Sequence, residues 1–369
     1  MNKPSEWTAT VAVSGLHRGE SPQPGGAVIA GLRRAWPQIR VIGMAYDPLE
    51  SGIFSQGLDR IDQCYVFPYP GRGEEALLAR LKEVRDRSIL DAVIPCLDSE
   101  LNNFIAIEPE LARLGIRTLL PTAHSLAAIA KPAMPETCRA LGIQSPRSGA
   151  AQDPAGLAAQ ALEIGYPCYV KGRLYGATLV HNVSELYAAF DKMFSLWGGP
   201  VLVQQAIVGE EFDVAGVGDG EGGLEASCTI RKLLRSSLGK AFAGIVVRNE
   251  ALLSKVRALV RHTKWRGPFE AEFIVPTGGE PYLMEVNPRF PAWIGFPAAI
   301  GCNMPALHFA NLMGWPKQPT VDIEPGRMFF RHSTDLIADI SEIAGLLNGE
   351  LGGPPGSSLV ADLMSKDWP

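Results

Sequence analysis

A chain of 369 residues, 46% hydrophobic and 20% charged, has the composition of a globular protein and room for two or three domains. A net charge of −5 and a pI near 5.8 argue against a nucleic-acid partner. The first six residues are polar and lack an apolar signal-type core, and no two of Cys64, Cys96, Cys138, Cys168, Cys228 and Cys302 form a CxxC pair. Neither a zinc knot nor a disulfide framework is indicated, so a cytoplasmic location is expected.

In chain order, residues 8–14 predict a strand ending at Gly15, and residues 25–36 a helix. A strand at 39–46 and a helix at 73–88 follow, the latter with Leu77, Leu78, Leu81 and Val84 at three- and four-residue spacing. Residues 91–96 predict a strand, 99–114 a helix stopped by Gly115, and 117–120 a last strand before Pro121. This alternation predicts an open parallel sheet with helices on both faces. Ligands on such sheets bind beyond the carboxyl ends of the strands, here Ser14, Gly15 and residues 97–100.

Residues 122–141 predict two short helices interrupted at Pro132 and Pro135. Asp153 reads as an N-cap with Pro154 at the first helical position, and that helix ends at Gly165. Strands at 167–171 and before His181, a helix from a Ser184 cap to 196, and a strand at 200–205 complete a compact α+β unit. Beyond it strands dominate, at 212–217, 224–231 and 241–247, followed by a helix at 250–264, a hairpin and a helix at 304–314. The apolar stretch 292–310 contains Pro297, Asn303, Pro305 and His308, so its uninterrupted runs are too short to cross a bilayer, and no membrane partner is expected. The expected units are therefore 1–121, 122–205, 206–320 and a tail, 321–369, without an assigned role.

The hairpin carries the chemistry. Glu285 and Asn287 are two apart on a predicted strand and share a face, and Arg289 follows. Pro281 belongs in the turn, so Val275 is expected opposite Tyr282 and Glu272 opposite Glu285. Glu272, Glu285 and Asn287 then form one patch of hard oxygen ligands, suited to Mg²⁺ bridging nucleotide phosphates. A hairpin with solvated acids on its outer face has the same pattern. A one-residue slip would send Glu272 to the other face.

Lys171 ends an apolar strand beside Gly172, where it can meet a phosphate as a point charge or simply flank a turn. No Walker A motif occurs. Gly218 to Gly223 fits GxGxxG, but a strand signal follows it instead of a helix, so it reads as a hairpin turn. Arg231 and Lys232 sit at a strand end within a basic segment and are candidates for a phosphate or an anionic substrate. The six histidines show no paired ligand spacing, and no serine or cysteine has a nucleophile signature.

Lys131 before a helix, Lys171 on a strand, Gln204 to Glu211 ending a strand, and Glu272 with Glu285-Val286-Asn287-Pro288-Arg289 occur in an order that resembles the ATP-grasp superfamily. It resembles especially branches near carbamoyl-phosphate synthetase and the carboxylate–amine ligases, over roughly residues 10–315. The resemblance implies an ATP-grasp fold of mixed α/β and α+β type. Residues 1–121 would be a Rossmann-like pre-ATP-grasp domain, 122–205 the small lid subdomain and 206–320 the large subdomain with the Mg-ATP site. Lys131 and Lys171 would be the nucleotide lysines, and Gln204, Gln205, Ala206 and Ile207 the hinge meeting adenine. Glu211 would hold the ribose. Glu272, Glu285 and Asn287 would bind magnesium, two ions for which manganese can substitute. Arg289, with Arg231, would steady the transferred phosphoryl group, while Asp98, Glu100 and Lys232 would touch substrate. Many relatives carry glutamate where Gln204 or Gln205 stands. The lid loop after Lys171 has only Gly172 and Gly176, with Arg173 supplying charge.

The implied activity is amide formation from a small-molecule or peptide carboxylate and an amine through an acyl phosphate, by a possible homodimer. Bicarbonate activation of carbamoyl-phosphate or carboxylase type is the alternative enzyme. A non-catalytic ATP-binding regulator is the alternative from another class.

Overall fold

Val11, Ala12 and Val13 are fully buried, and their strand is covered on both faces. They lie in β1 (Thr10–Ser14), which joins β2 (Arg40–Ala45), β3 (Gln63–Val66) and β4 (Ala92–Ile94) in a parallel sheet of order β3-β2-β1-β4. The structure is a computed structural model describing residues 7–19, 21–172, 176–236, 239–317, 319–338 and 346. Val11 and Val13 pack with α1 (Gly25–Ala35), and Ala12 with α2 (Glu74–Arg87) and α3 (Asp98–Ala106), as an α/β sheet requires. β1 pairs with both β2 and β4, so the strand order reverses direction there. The loops after β1 and β4 flank the crevice where such sheets bind ligands.

Three local expectations change. The strand β3 went unanticipated. The helix expected over 99–114 is split at Ile107 into α3 and α4 (Glu108–Arg113), because Pro109 lacks the N–H that a continuous helix would use. Of residues 117–120 only Arg117 makes a bridge, to Ala92.

α5 (Ala123–Ile129) and α6 (Met134–Ala140) lead into the small unit. Pro135 sits in the first turn of α6, where its missing N–H costs nothing, so it starts that helix and does not interrupt it. The unit itself contains β5 (Ser148–Ala151), α7 (Pro154–Ile164), β6 (Cys168–Lys171), β7 (Ala177–Val180), α8 (Val183–Trp197) and β8 (Val201–Gln205), in the antiparallel order β5-β8-β6-β7. Asp153 caps α7, Oδ1 accepting from Gly156 N at 2.8 Å. Asn182 caps α8 in place of Ser184, its Oδ1 accepting from Glu185 N at 3.0 Å while the Glu185 carboxylate accepts from His181 N at 2.8 Å. Cys168, Val170, Val201 and Val203 face the two helices. The two-residue period of a strand turns Lys171, Leu202 and Gln204 to the opposite face. Residues 173–175, in the lid loop, lie outside the described residues, as do Gly352 to Gly356.

The largest sheet has the order β13-β12-β9-β10-β11-β14 and is antiparallel. Its strands are β9 (Glu210–Asp219), β10 (Leu224–Arg235), β11 (Ala241–Val246), β12 (Arg266–Val275), β13 (Tyr282–Asn287) and β14 (Met328–Phe330). One face, with Phe212, Val214, Phe269 and Phe273, packs on α9 (Glu250–Thr263). The other, with Ala215, Val217, Cys228 and Ile230, shares a core with α1, with α11 (Met304–Met313) and with Trp293 just before α10 (Gly295–Ala299). β14 joins this sheet from beyond residue 320, so part of the tail belongs to it. No helix among the described residues is long and apolar enough to cross a membrane. All six cysteines are buried thiols.

Candidate active site

The face of the large sheet that looks toward the N-terminal sheet carries a line of charges. Glu270 and Glu272 alternate along β12, and Asp213 of β9 lies directly across from Glu272. On the other side Asn287 opposes Glu270 and Glu285 opposes Glu272. The expected Val275–Tyr282 pair is not made. Tyr282 pairs with Ile274 and Leu283 with Phe273, and then Met284 bulges out and the ladder resumes at Glu285. The bulge absorbs a one-residue slip that would have turned Glu285 away, and it aims two consecutive side chains, Met284 and Glu285, into one pocket.

That pocket lies between the small unit and β13. Lys131 and Met134 enter from around α6, Lys171, Leu202 and Gln204 from the small sheet, and Met284 and Glu285 from the hairpin. Burial pushes Lys171 below the usual lysine range, and Lys131 adds to this, while Glu285 and Glu272 pull the other way. Burial likewise raises Glu285, with repulsion from Glu272 added and the two lysines opposing. Gln204 Oε1 is buried without a hydrogen-bond partner among the described residues. Two lysines, an acid, an unsatisfied amide oxygen and three apolar side chains suit a ligand that is flat and apolar at one end and anionic at the other.

Arg289 extends the line. Its Nη1 donates to Glu270 Oε2 at 3.0 Å and to Phe290 O at 3.2 Å, and its Nε donates to Asp98 Oδ2 at 3.3 Å. Burial alone would lower Arg289, but Asp98 and Glu270 outweigh it and hold the guanidinium above its ordinary value. Glu270 also accepts from Trp293 Nε1 at 2.7 Å and from Asn287 Nδ2 at 3.1 Å. Asn287 Nδ2 is 2.9 Å from Glu272 Oε1.

Lys232 sits within the acids. Its Nζ is 2.9 Å from Glu272 Oε2, 3.1 Å from Asp213 Oδ1 and 3.8 Å from Glu211 Oε2, and its side chain is 4% exposed. Burial would lower Lys232, yet Asp213 and Glu272 hold it above the lysine range. Burial raises Asp213 well above the carboxylate range despite Lys232, and Glu272, against the same burial, is held low by that ammonium. Lys232, expected at a substrate, is therefore occupied as the counter-charge of Asp213 and Glu272.

Other expected residues are placed differently. Arg231 belongs to the alternate set of β10 side chains, across from Phe212, and pairs with exposed Glu210 at 2.8 Å, away from the acids. Glu100 is 1% exposed and enclosed. It accepts from Ser14 Oγ and Tyr46 Oη, and from Cys96 N at 2.8 Å and Leu97 N at 2.9 Å, so it braces the loop and does not face a substrate. Gln205 Oε1 accepts from Arg147 N at 3.2 Å. Ala206 and Ile207 are partly exposed between β8 and β9, and Glu211 pairs with Arg235. Sequence reasoning missed Glu270 and Asp213. Glu270 stands two residues before Glu272, so strand period could have found it, whereas Asp213 depends on a register between distant strands.

No known family model matches the sequence. The fold, however, superposes on solved structures. The L-amino acid ligase of Bacillus licheniformis aligns over 83% of this chain and 74% of its own, with a TM-score of 0.63 and 17% identity. The biotin carboxylase of Campylobacter jejuni aligns over 84% and 72%, with a TM-score of 0.65 and 15% identity. A phosphoribosylglycinamide synthetase from Anaerococcus prevotii covers 84% and 76%, with a TM-score of 0.57 and 13% identity. The chain has the ATP-grasp fold. The antiparallel four-stranded sheet and the six-stranded sheet flank the pocket, and Asp98, which follows the parallel sheet, reaches Arg289.

The residues present fit MgATP in that cleft. The apolar wall and the free Gln204 oxygen suit an adenine edge, and the two lysines suit phosphates. Glu285 and Glu272 oppose each other with Asn287 two residues on and on the same face, a hard-oxygen donor set of the kind magnesium takes.

Proposed function

We propose that the chain is an ATP-dependent carboxylate–amine ligase. The observation that carries this is the convergence of Lys131, Lys171, Gln204 and Glu285 on one pocket, adjoining the Glu272–Asn287–Arg289 line. Bound MgATP would supply the phosphoryl group and divalent charge at its oxygens. Lys131 and Lys171 would hold the phosphates, and Gln204 with the backbone of residues 205–207 the adenine edge. Glu211 would take the ribose, and Glu272, Glu285 and Asn287 the metal. Arg289, fixed by Asp98 and Glu270, would face the charge that develops on the transferred group. A substrate carboxylate oxygen attacks the γ-phosphorus and ADP leaves. The amine nitrogen then attacks the acyl carbon, phosphate departs with the C–O electrons, and the nitrogen gives up its proton. Such chemistry needs positioning and charge neutralisation, not a nucleophilic side chain.

The testing experiment is Mg²⁺-dependent ADP and phosphate release across carboxylic acids, each with and without amines and bicarbonate. ADP release that requires both acid and amine, with an amide product by mass spectrometry, is the expected result. Release stimulated by bicarbonate alone would instead assign a carboxyphosphate-forming enzyme. ATP binding without release for any pair would point to a regulator.

A further inference from the structure

The site face carries two more cations, Lys240 just before β11 and Arg331 just after β14. β11 and β14 pair Ala243 with Phe330, and Arg331 N donates to Phe242 O at 2.9 Å. Arg331 therefore stands opposite Phe242, with Lys240 two residues along on the same face. It is also the face of Lys232, because Gly244 pairs with Lys232. Among the described residues neither cation pairs with a carboxylate. Lys240 Nζ has a backbone carbonyl, Pro22 O, at 3.4 Å, and Arg331 Nε is buried without a hydrogen-bond partner. The neighbouring acids, Asp98 and Glu270, are already bound to Arg289. Burial lowers both cations; Arg289 and Arg331 lower Lys240 further while Asp98 and Glu270 oppose them, and Glu270 likewise opposes the lowering of Arg331. Like charges taken out of water together are costly unless an anion joins them.

We propose that Lys240 and Arg331 form an anion subsite that holds a non-reacting carboxylate of a substrate. The subsite lies beside Arg289 and against the loop that contains Pro22. Lys240 and Arg331 flank β11 and β14, whereas Lys131, Lys171 and Gln204 gather at β13 on the other edge of the sheet, so the ligand of the subsite is a substrate and not the nucleotide. A guanidinium offers a carboxylate a planar pair of donors, and an adjacent ammonium adds charge without fixing direction. The inference rests on the ligase reading. Two sources fit the chemistry, a second carboxylate on the acid substrate or the α-carboxylate of an amino-acid amine.

Calorimetry on the full chain separates them, comparing succinate with its monoamide and L-alanine with L-alaninamide. Wild type, Lys240→Gln, Arg331→Gln and the charge-keeping Arg331→Lys would each be titrated. The expected result is a preference of roughly tenfold for the carboxylate in one arm. That preference should fall to near unity in both glutamine variants and return in part in Arg331→Lys. The arm that shows it names the source. No preference in either arm, or one that survives both glutamine substitutions, overturns the proposal. ATP affinity, titrated separately on the same proteins, reports on the nucleotide cleft, so a failure of the ligase reading is told apart from a failure of the subsite.

Discussion

Asp98 and Arg289 are 191 positions apart in sequence and meet Oδ2 to Nε at 3.3 Å. The contact joins the first residue of α3, the helix that follows β4 at the reversal of strand order in the parallel sheet, to the arginine that follows β13. Arg289 has a second carboxylate in Glu270 and a backbone carbonyl, both at Nη1, so removing Asp98 would leave it charged but held at one end only. Asp98→Ala should fold normally and lose roughly 10–100-fold in kcat/KM, the worth of one charge-assisted hydrogen bond in an aligned site. An unchanged kcat/KM would remove Asp98 from the machinery.

Glu285→Ala should abolish ATP turnover while circular dichroism and melting behaviour stay close to wild type, and Arg289→Ala should abolish it with native-like circular dichroism but a lowered melting temperature, because buried Glu270 loses its guanidinium. Glu285 lines the pocket on a bulge and carries no ladder contact through its side chain, so its loss does not open the core. Full activity in either variant would refute the assigned site.

Much of this was legible where the signal is local. The Asp153–Pro154 start of α7 follows from capping, whereas the Glu272–Glu285 pairing, though expected, is reached only because the bulge at Met284 offsets a one-residue shift in the ladder. β5, spelled Ser-Gly-Ala-Ala, has no branched or aromatic residue to announce a strand. Arg231 and Lys232 looked equivalent in sequence, yet a strand can send only one of two neighbours to a given face. Which one was decided by pairing with β9, some twenty residues away. Asp213 and Arg331 reach the site face through the β9–β12 and β11–β14 ladders, and such non-local registers leave no mark in a short window.

Met284 offers a test of the bulge. Met284→Ala keeps the backbone donors and acceptors but removes an apolar wall of the pocket. The KM for ATP should rise roughly tenfold, as about 1–2 kcal/mol of apolar contact is lost, with kcat little changed. A drop in kcat at unchanged KM would mean that the bulge serves the acids rather than the nucleotide.

Lys232→Met should cost stability at neutral pH. It leaves Asp213 and Glu272 facing each other without their ammonium, a loss of roughly 3–5 kcal/mol for a broken buried pair. Acid should restore part of it, since Glu272, which the ammonium holds ionised in the wild type, can then take up a proton. Added Mg²⁺ should raise the melting temperature of the variant more than that of wild type. A variant that melts like wild type at pH 7 would show that the three groups are solvated and uncoupled.

Glu100 sets a pH dependence of its own. Burial pushes its carboxyl up to about 7, while its four hydrogen-bond donors pull it down. A carboxyl whose value is raised on folding binds its proton more tightly in the native state. Its stabilising effect is complete below the unfolded value of 4.5 and is lost as pH rises through about 7. Over that window the group should withdraw about 3 kcal/mol from the folded state. Glu100→Gln cannot ionise, and its amide can still accept from Leu97 N and donate to Tyr46. The variant should therefore match wild type in acid and exceed it in stability at pH 8, with the slope between the two nearly flat. Melting curves of both proteins across that range, together with a carbon-13 titration of the Glu100 carboxyl, measure this directly. Parallel curves would mean that the four donors prevail and that Glu100 remains ionised throughout.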